Sequence, residues 1–119
     1  MRHLLEIDDL SEKELGQVLD LAAPDRARPV LAGQGVALLF AQPSNRTRNA
    51  FEMATVGLGG HPVSSRGEEI GLGVRESVED VTRVLGRYHA LIGARGYDHA
   101  HLEAMVSADQ GPVVNLLSD

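Results

Sequence analysis

Val36-Ala37-Leu38-Leu39-Phe40-Ala41-Gln42-Pro43-Ser44-Asn45-Arg46-Thr47-Arg48-Asn49-Ala50-Phe51 decides how this chain is read. The apolar run from Val36 to Phe40 is what a strand buried on both faces needs, and Pro43-Ser44 is turn chemistry that stops it. Beyond the turn, Phe51, Ala54, Thr55 and Leu58 recur at helical spacing. The stretch is a strand, a tight turn and a helix. A helix N-terminus presents unpaired backbone N–H groups and the positive end of the helix dipole. Arg46 and Arg48 oppose that dipole unless an anion meets them, so they point to a site for a phosphate-like dianion. Ser44 is explained equally well as a plain N-cap, and on the residues alone both readings stand.

Working outward, Ser11 with Glu14 is a capping-box pattern, and Leu15, Val18, Leu19 and Ala22 follow at helical spacing until Pro24. Residues 23–29 read as a polar connector, and Gly33 and Gly35 punctuate the approach to a first strand over 36–41. Gly57, Gly59 and Gly60 end the arginine-bearing helix, and residues 61–65 make a short second strand. The segment 66–74 has three glycines and no period, which predicts an exposed loop. A helix over 76–88 buries Val78, Val81, Leu85 and Tyr88, and a third strand covers 90–95. Asp98 caps a further helix with Leu102, Met105 and Val106 as its stripe, and residues 111–117 form the last strand. Strands alternating with helices predict an α/β fold: a four-stranded parallel sheet with helices on both faces, a single domain over residues 1–119. Ligands of such sheets bind outside the carboxyl ends of the strands, where the Ser44 turn, the Arg66 loop and Arg95 meet. Arg95 serves equally well there as a salt-bridge partner for a neighbouring helix.

At 119 residues the chain buries roughly two-thirds of its unfolded surface. Its formal charge of −6, with Lys13 the sole lysine, argues against nucleic acid, whose binding depends on neutralising many phosphates. Cysteine is absent, which excludes disulfides and thiol chemistry. No stretch approaches the ~20 apolar residues of a membrane span, and acids stand where a signal peptide needs an apolar core, so the expected location is the cytoplasm. His61, His99 and His101 have no carboxylate pattern to complete a metal shell. Gly33-x-Gly35 and Gly71-x-Gly73 do not open a helix after a strand, as a dinucleotide cradle demands, so no cofactor is expected.

The run from Phe40 to Gly60, with Pro-Ser-Asn-Arg-Thr-Arg, then Phe51-Glu52, then Leu58-Gly-Gly, resembles the carbamoyl-phosphate motif of the aspartate and ornithine carbamoyltransferases. Residues 75–85 and 92–97 resemble the ornithine branch more than the aspartate branch. The resemblance implies that Ser44, Asn45, Arg46 and Thr47 bind the phosphate of carbamoyl phosphate and that Arg95, with Thr47, faces its carbonyl oxygen. Arg46, Thr47 and Arg95 are then the catalytic residues of a carbamoyl transfer to ornithine giving citrulline and phosphate, a step of arginine biosynthesis. Glu52 is then an acid that organises closure of two domains. The family assembles as trimers, so a homotrimer is expected of the full-length protein, with the 66–75 loop approaching a neighbour's Ser44 turn. Transfer to aspartate or another amine, and a non-catalytic phosphate-binding or assembly module, remain the alternatives.

Two positions depart from the motif. Asn45 stands where Thr is usual, and Gly71 occupies the place of a Gln that reaches into a neighbouring subunit's site, so either Arg75 or another loop residue supplies that contact or turnover is weakened. Residues 115–119 resemble the stretch before the family's His-Pro-x-Gln, so the chain is expected to be the N-terminal half of a two-domain enzyme. The amine acceptor would then be held by a domain outside this chain, and the chain alone should not turn over.

Overall fold

The structure, a computed structural model, describes residues 2–23, 25, 28–72, 74 and 76–118. Expectations that rest on Pro24, Gly73, Arg75 and Asp119 lie outside these residues. The elements run α1 (Glu12–Leu21), β1 (Gly35–Phe40), α2 (Asn45–Gly57), β2 (His61–Arg66), α3 (Gly67–Ile70), α4 (Val78–Tyr88), β3 (His89–Arg95), α5 (His99–Ala108) and β4 (Val113–Leu117), with a short 3-10 turn at Ile7–Asp9.

The four strands form one sheet in the order β2-β1-β3-β4, with every pairing parallel. β1 is central and buried from Val36 to Phe40, as its uninterrupted apolar sequence requires. Because side chains alternate along a strand, β1 supplies both cores. Val36, Leu38 and Phe40 pack with Leu31 and Phe51 on the face that α2 covers. Ala37 and Leu39 join Val78 and Val81 of α4, Ile92, and Leu102 and Met105 of α5 on the other. The expected sheet with helices on both faces is what forms. At the β4 edge the N-terminal segment closes the ladder: Leu4 N–H donates to the Val113 carbonyl at 2.9 Å, and the Leu4 carbonyl accepts from Asn115 N–H at 2.8 Å.

Four expectations need correcting. The 66–74 loop contains the one-turn helix α3, whose Glu69 carboxylate accepts from the Arg66 N–H at 3.3 Å. α4 starts at Val78, because Ser77 takes the cap position and its hydroxyl accepts from Asp80 N–H. Tyr88 is 75% exposed and Thr82 is buried in the stripe instead. The chain passes from Tyr88 straight into β3, which leaves the last helical residue outside the packed face, while Thr82 satisfies its hydroxyl on the Val78 carbonyl at 2.7 Å. Asp98 occupies the N-cap of α5, but its side chain makes no capping bond. The helix α1 and its Ser11–Glu14 capping box form as expected, yet none of its residues is buried and Leu19 is 66% exposed.

Candidate anion site

Register sets the site. Phe40 at the end of β1 pairs with Arg66 at the end of β2 and with Arg95 at the end of β3, so two arginines stand on either side of one strand end, each about 4.8 Å from it. The chain leaves β1 towards β2 and leaves β3 towards β4, so the connections diverge between β1 and β3 and open a crevice there. Arg95 points into this crevice. Its guanidinium donates to the Thr47 hydroxyl on α2, and its carbonyl accepts from Ala41 N–H at 3.0 Å, tying the exit of β1 to β3.

The turn into α2 follows from Pro43 and Ser44. Ser44 is extended (φ −149°, ψ 92°) and is the N-cap by its backbone, with its hydroxyl making no capping bond. The first turn of α2 carries no acid. Arg46 is exposed and, among the described residues, has neither an ion-pair nor a hydrogen-bond partner. Asn45 is partly engaged, its side-chain oxygen accepting from the Asn49 amide at 3.0 Å. A positive helix end, an unused hydroxyl and an unpaired guanidinium together make a receptor for an anion.

Beside the crevice, a cleft of about 740 Å³ runs between the N-terminus of α2 and the end of β2. Ser44, Asn45, Arg48, Ser65 and Arg66 line it, whereas Arg46, Thr47 and Arg95 do not. The expected site residues are thus divided: Thr47 and Arg95 meet in the crevice, and Ser44 and Asn45 face the cleft. Arg48 pairs with Glu52 (3.5 Å), which also accepts from the Ser64 hydroxyl at 3.0 Å, so α2 is fastened to β2 through a carboxylate. Arg66 lies 3.7 Å from Glu68. Arg48, which the sequence marks with Arg46 as pointing to an anion, lines the cleft, and Ser65 and Arg66 are cleft residues not named among the binding residues from sequence. Their signal was the polar break Ser64-Ser65-Arg66 closing a strand at the end where ligands bind.

Below the floor of the cleft, burial raises the pKa of the Tyr97 phenol, which stays protonated. Among the described residues, no three His, Asp or Glu side chains gather as a metal site, and no helix is long and apolar enough to cross a membrane. His99 shares its Nδ1 with the Ser118 hydroxyl at 3.0 Å, and the His101 ring meets Tyr97 edge to face.

A model of the carbamoyl-P binding domain of the aspartate/ornithine carbamoyltransferases matches residues 2–119. The chain belongs to the aspartate/ornithine carbamoyltransferase family. It is 41% identical over 98% of its length to the ornithine carbamoyltransferase of Methanocaldococcus jannaschii, of which it covers 40%. Its fold superposes on the anabolic ornithine carbamoyltransferase of Campylobacter jejuni with a TM-score of 0.94 at 30% identity, covering all of this chain and 40% of that one. It also superposes on an N-acetyl-L-ornithine transcarbamylase complexed with carbamyl phosphate and N-succinyl-L-norvaline, with a TM-score of 0.85 at 31% identity, covering 98% of this chain and 42% of the other. The chain thus spans about two-fifths of the length of these family members, and what it corresponds to in them is the carbamoyl-phosphate-binding domain.

Proposed function

We propose that this chain binds carbamoyl phosphate and is the donor-holding half of an ornithine carbamoyltransferase. The observation that carries the reading is the Arg95–Thr47 hydrogen bond at the point where the strand connections diverge, directly beside the uncapped N-terminus of α2. Ser44, Asn45, Arg46 and Thr47 hold the phosphate against the helix end. Arg95, held by Thr47, turns its positive edge to the carbamoyl oxygen. When the amine nitrogen of ornithine attacks the carbamoyl carbon, that oxygen gains negative charge and Arg95 stabilises it. The bond between the carbamoyl carbon and the oxygen that bridges to phosphorus then breaks, and the phosphate leaves with the electron pair and takes up the proton that the amine gives up, departing as hydrogen phosphate. The arginines and helix end that held the donor stabilise the departing dianion, so the work is positioning and electrostatics.

Ornithine as acceptor is supported by the relatives, several of which are named ornithine carbamoyltransferase. Residues 1–119 then act as one carbamoyl-phosphate domain, with the acceptor held by a second, amino-acid-binding domain in a cytoplasmic enzyme. The working assembly is a homotrimer in which the segment following Arg66 approaches a neighbour's Ser44 turn. Exposed Met53 and Val56 on α2, the helix whose N-terminal half lines the cleft, support such contact between copies.

Titration of the chain with inorganic phosphate and with carbamoyl phosphate tests the reading. Arg46→Ala should cost on the order of 2 kcal/mol, about thirtyfold in Kd, because a charge-assisted contact to a dianion is lost. Equal binding by the variant and the parent chain would overturn it.

A further inference from the structure

Tyr97 lies directly after the Arg95-Gly96 turn, and its ring is part of the core that α4 and α5 share with the sheet. The residue is 7% exposed. Its hydroxyl is fully buried and has no hydrogen-bond partner among the described residues. A phenol in such a place should have one, since a buried donor without an acceptor loses its bond to water and gets nothing back.

Where the hydroxyl points is informative. A Cβ added at Gly67 would stand 3.6 Å from the Tyr97 oxygen and 3.1 Å from the Ala41 Cα, so the phenol ends at the seam between the exits of β1 and β2. Ala41 lines the cleft, and Gly67 sits between the cleft residues Arg66 and Glu68. The unpartnered hydroxyl is therefore immediately under the wall of the anion cleft. Above it, α3 is a single turn that starts on Gly67 and ends against Gly71, the latter in the left-handed conformation (φ 63°). So short a helix held between two permissive residues can shift as a unit without breaking a larger element.

We infer that Tyr97 is a positioning residue for the anion site, whose hydroxyl gains its partner only when α3 and the exit of β1 settle around a bound anion. The orphaned donor biases the empty chain against its own geometry and rewards the filled one. It also links Arg95, two residues upstream, to the segment that carries Arg66. The inference rests on the anion-site reading above.

The test is Tyr97→Phe, which keeps the ring and removes only the oxygen. Phosphate affinity, measured by NMR shift titration with inorganic phosphate, should fall roughly tenfold, the size of one lost hydrogen bond. The Tm of the phosphate-free chain should stay level or rise, because the variant no longer buries an unsatisfied donor. A hydroxyl that serves only the fold gives the opposite pair, a lower Tm with unchanged affinity, and that result overturns the inference while leaving the anion site intact. Absence of phosphate binding by the parent chain overturns the anion reading and this inference with it.

Discussion

Arg95 donates a hydrogen bond to Thr47 across a sequence separation of 48 residues, joining the end of β3 to the first turn of α2. An arginine with all its donors free would wander over several rotamers; one donor fixed on a threonine leaves the rest of the planar fork aimed in one direction. Thr47→Val should therefore weaken carbamoyl phosphate binding about tenfold, or ~1.4 kcal/mol, while leaving the chain folded. Calorimetric titration decides it, and an unchanged Kd would show that Arg95 needs no support from α2.

Gly71 gives a prediction of the opposite kind. The family resemblance puts a glutamine at this position, but the backbone here is left-handed (φ 63°, ψ 40°) as the cap that ends α3. Gly71→Gln should cost about 1 kcal/mol of stability, seen as a lower urea midpoint. A midpoint that does not move would mean the segment adopts another conformation as readily.

The pH dependence of α1 follows from the Glu14 carboxyl, held down at about 2 by the hydrogen bond from Arg2 and then by the Ser11 N–H. A depressed carboxylate stabilises the fold above its unfolded value near 4.5 and loses that contribution as pH falls towards 2. Protection of the amides over residues 12–21, relative to their intrinsic exchange rates at each pH, should fall through that window, while the sheet stays protected. Arg2→Ala should make the change smaller and end it at higher pH, and identical profiles for the two proteins would contradict the assignment.

In the core, Leu102 is 0% exposed and packs where α5 meets the sheet. Leu102→Ala should destabilise by about 3 kcal/mol, from lost burial plus the cavity left behind. Urea unfolding followed by far-ultraviolet circular dichroism measures it, and a loss under ~1 kcal/mol would mean α5 collapses onto the space.

The fold was legible where the signals are local. β1 is apolar at every position from Val36 to Phe40, Pro43 stops it, and the capping box at Ser11 and Glu14 starts α1, each within a few residues. The α2 end of the site was legible for the same reason, since Ser44 to Arg48 sit in one turn. Four residues contain too little of any period to reveal α3, and its cap joins Glu69 to the backbone of Arg66 without a serine, threonine, aspartate or asparagine to announce it. The exposure of Tyr88 depends on α4 running into β3 without a loop, which pattern alone does not carry. The Arg48–Glu52–Ser64 connection depends on which strand α2 lies against. Nor does an amphipathic sequence say what covers it: Val18 and Leu19 of α1 follow the pattern and still face outward.

The two edges of the sheet differ in what they offer a stranger. Leu4 already occupies the outer side of β4, so a strand from another molecule could add only along β2. There, His61 turns its N–H inward to the Gln34 carbonyl, which by alternation sends Pro62, Ser64 and Arg66 outward. Pro62 has no N–H to give, and that of Arg66 is taken by Glu69. Ser64 alone keeps an outward donor, too little to template an incoming strand. The one open margin of this sheet is thereby guarded against fibril-like growth, and copies that associate on this side must do so through side chains, in a geometry that can close.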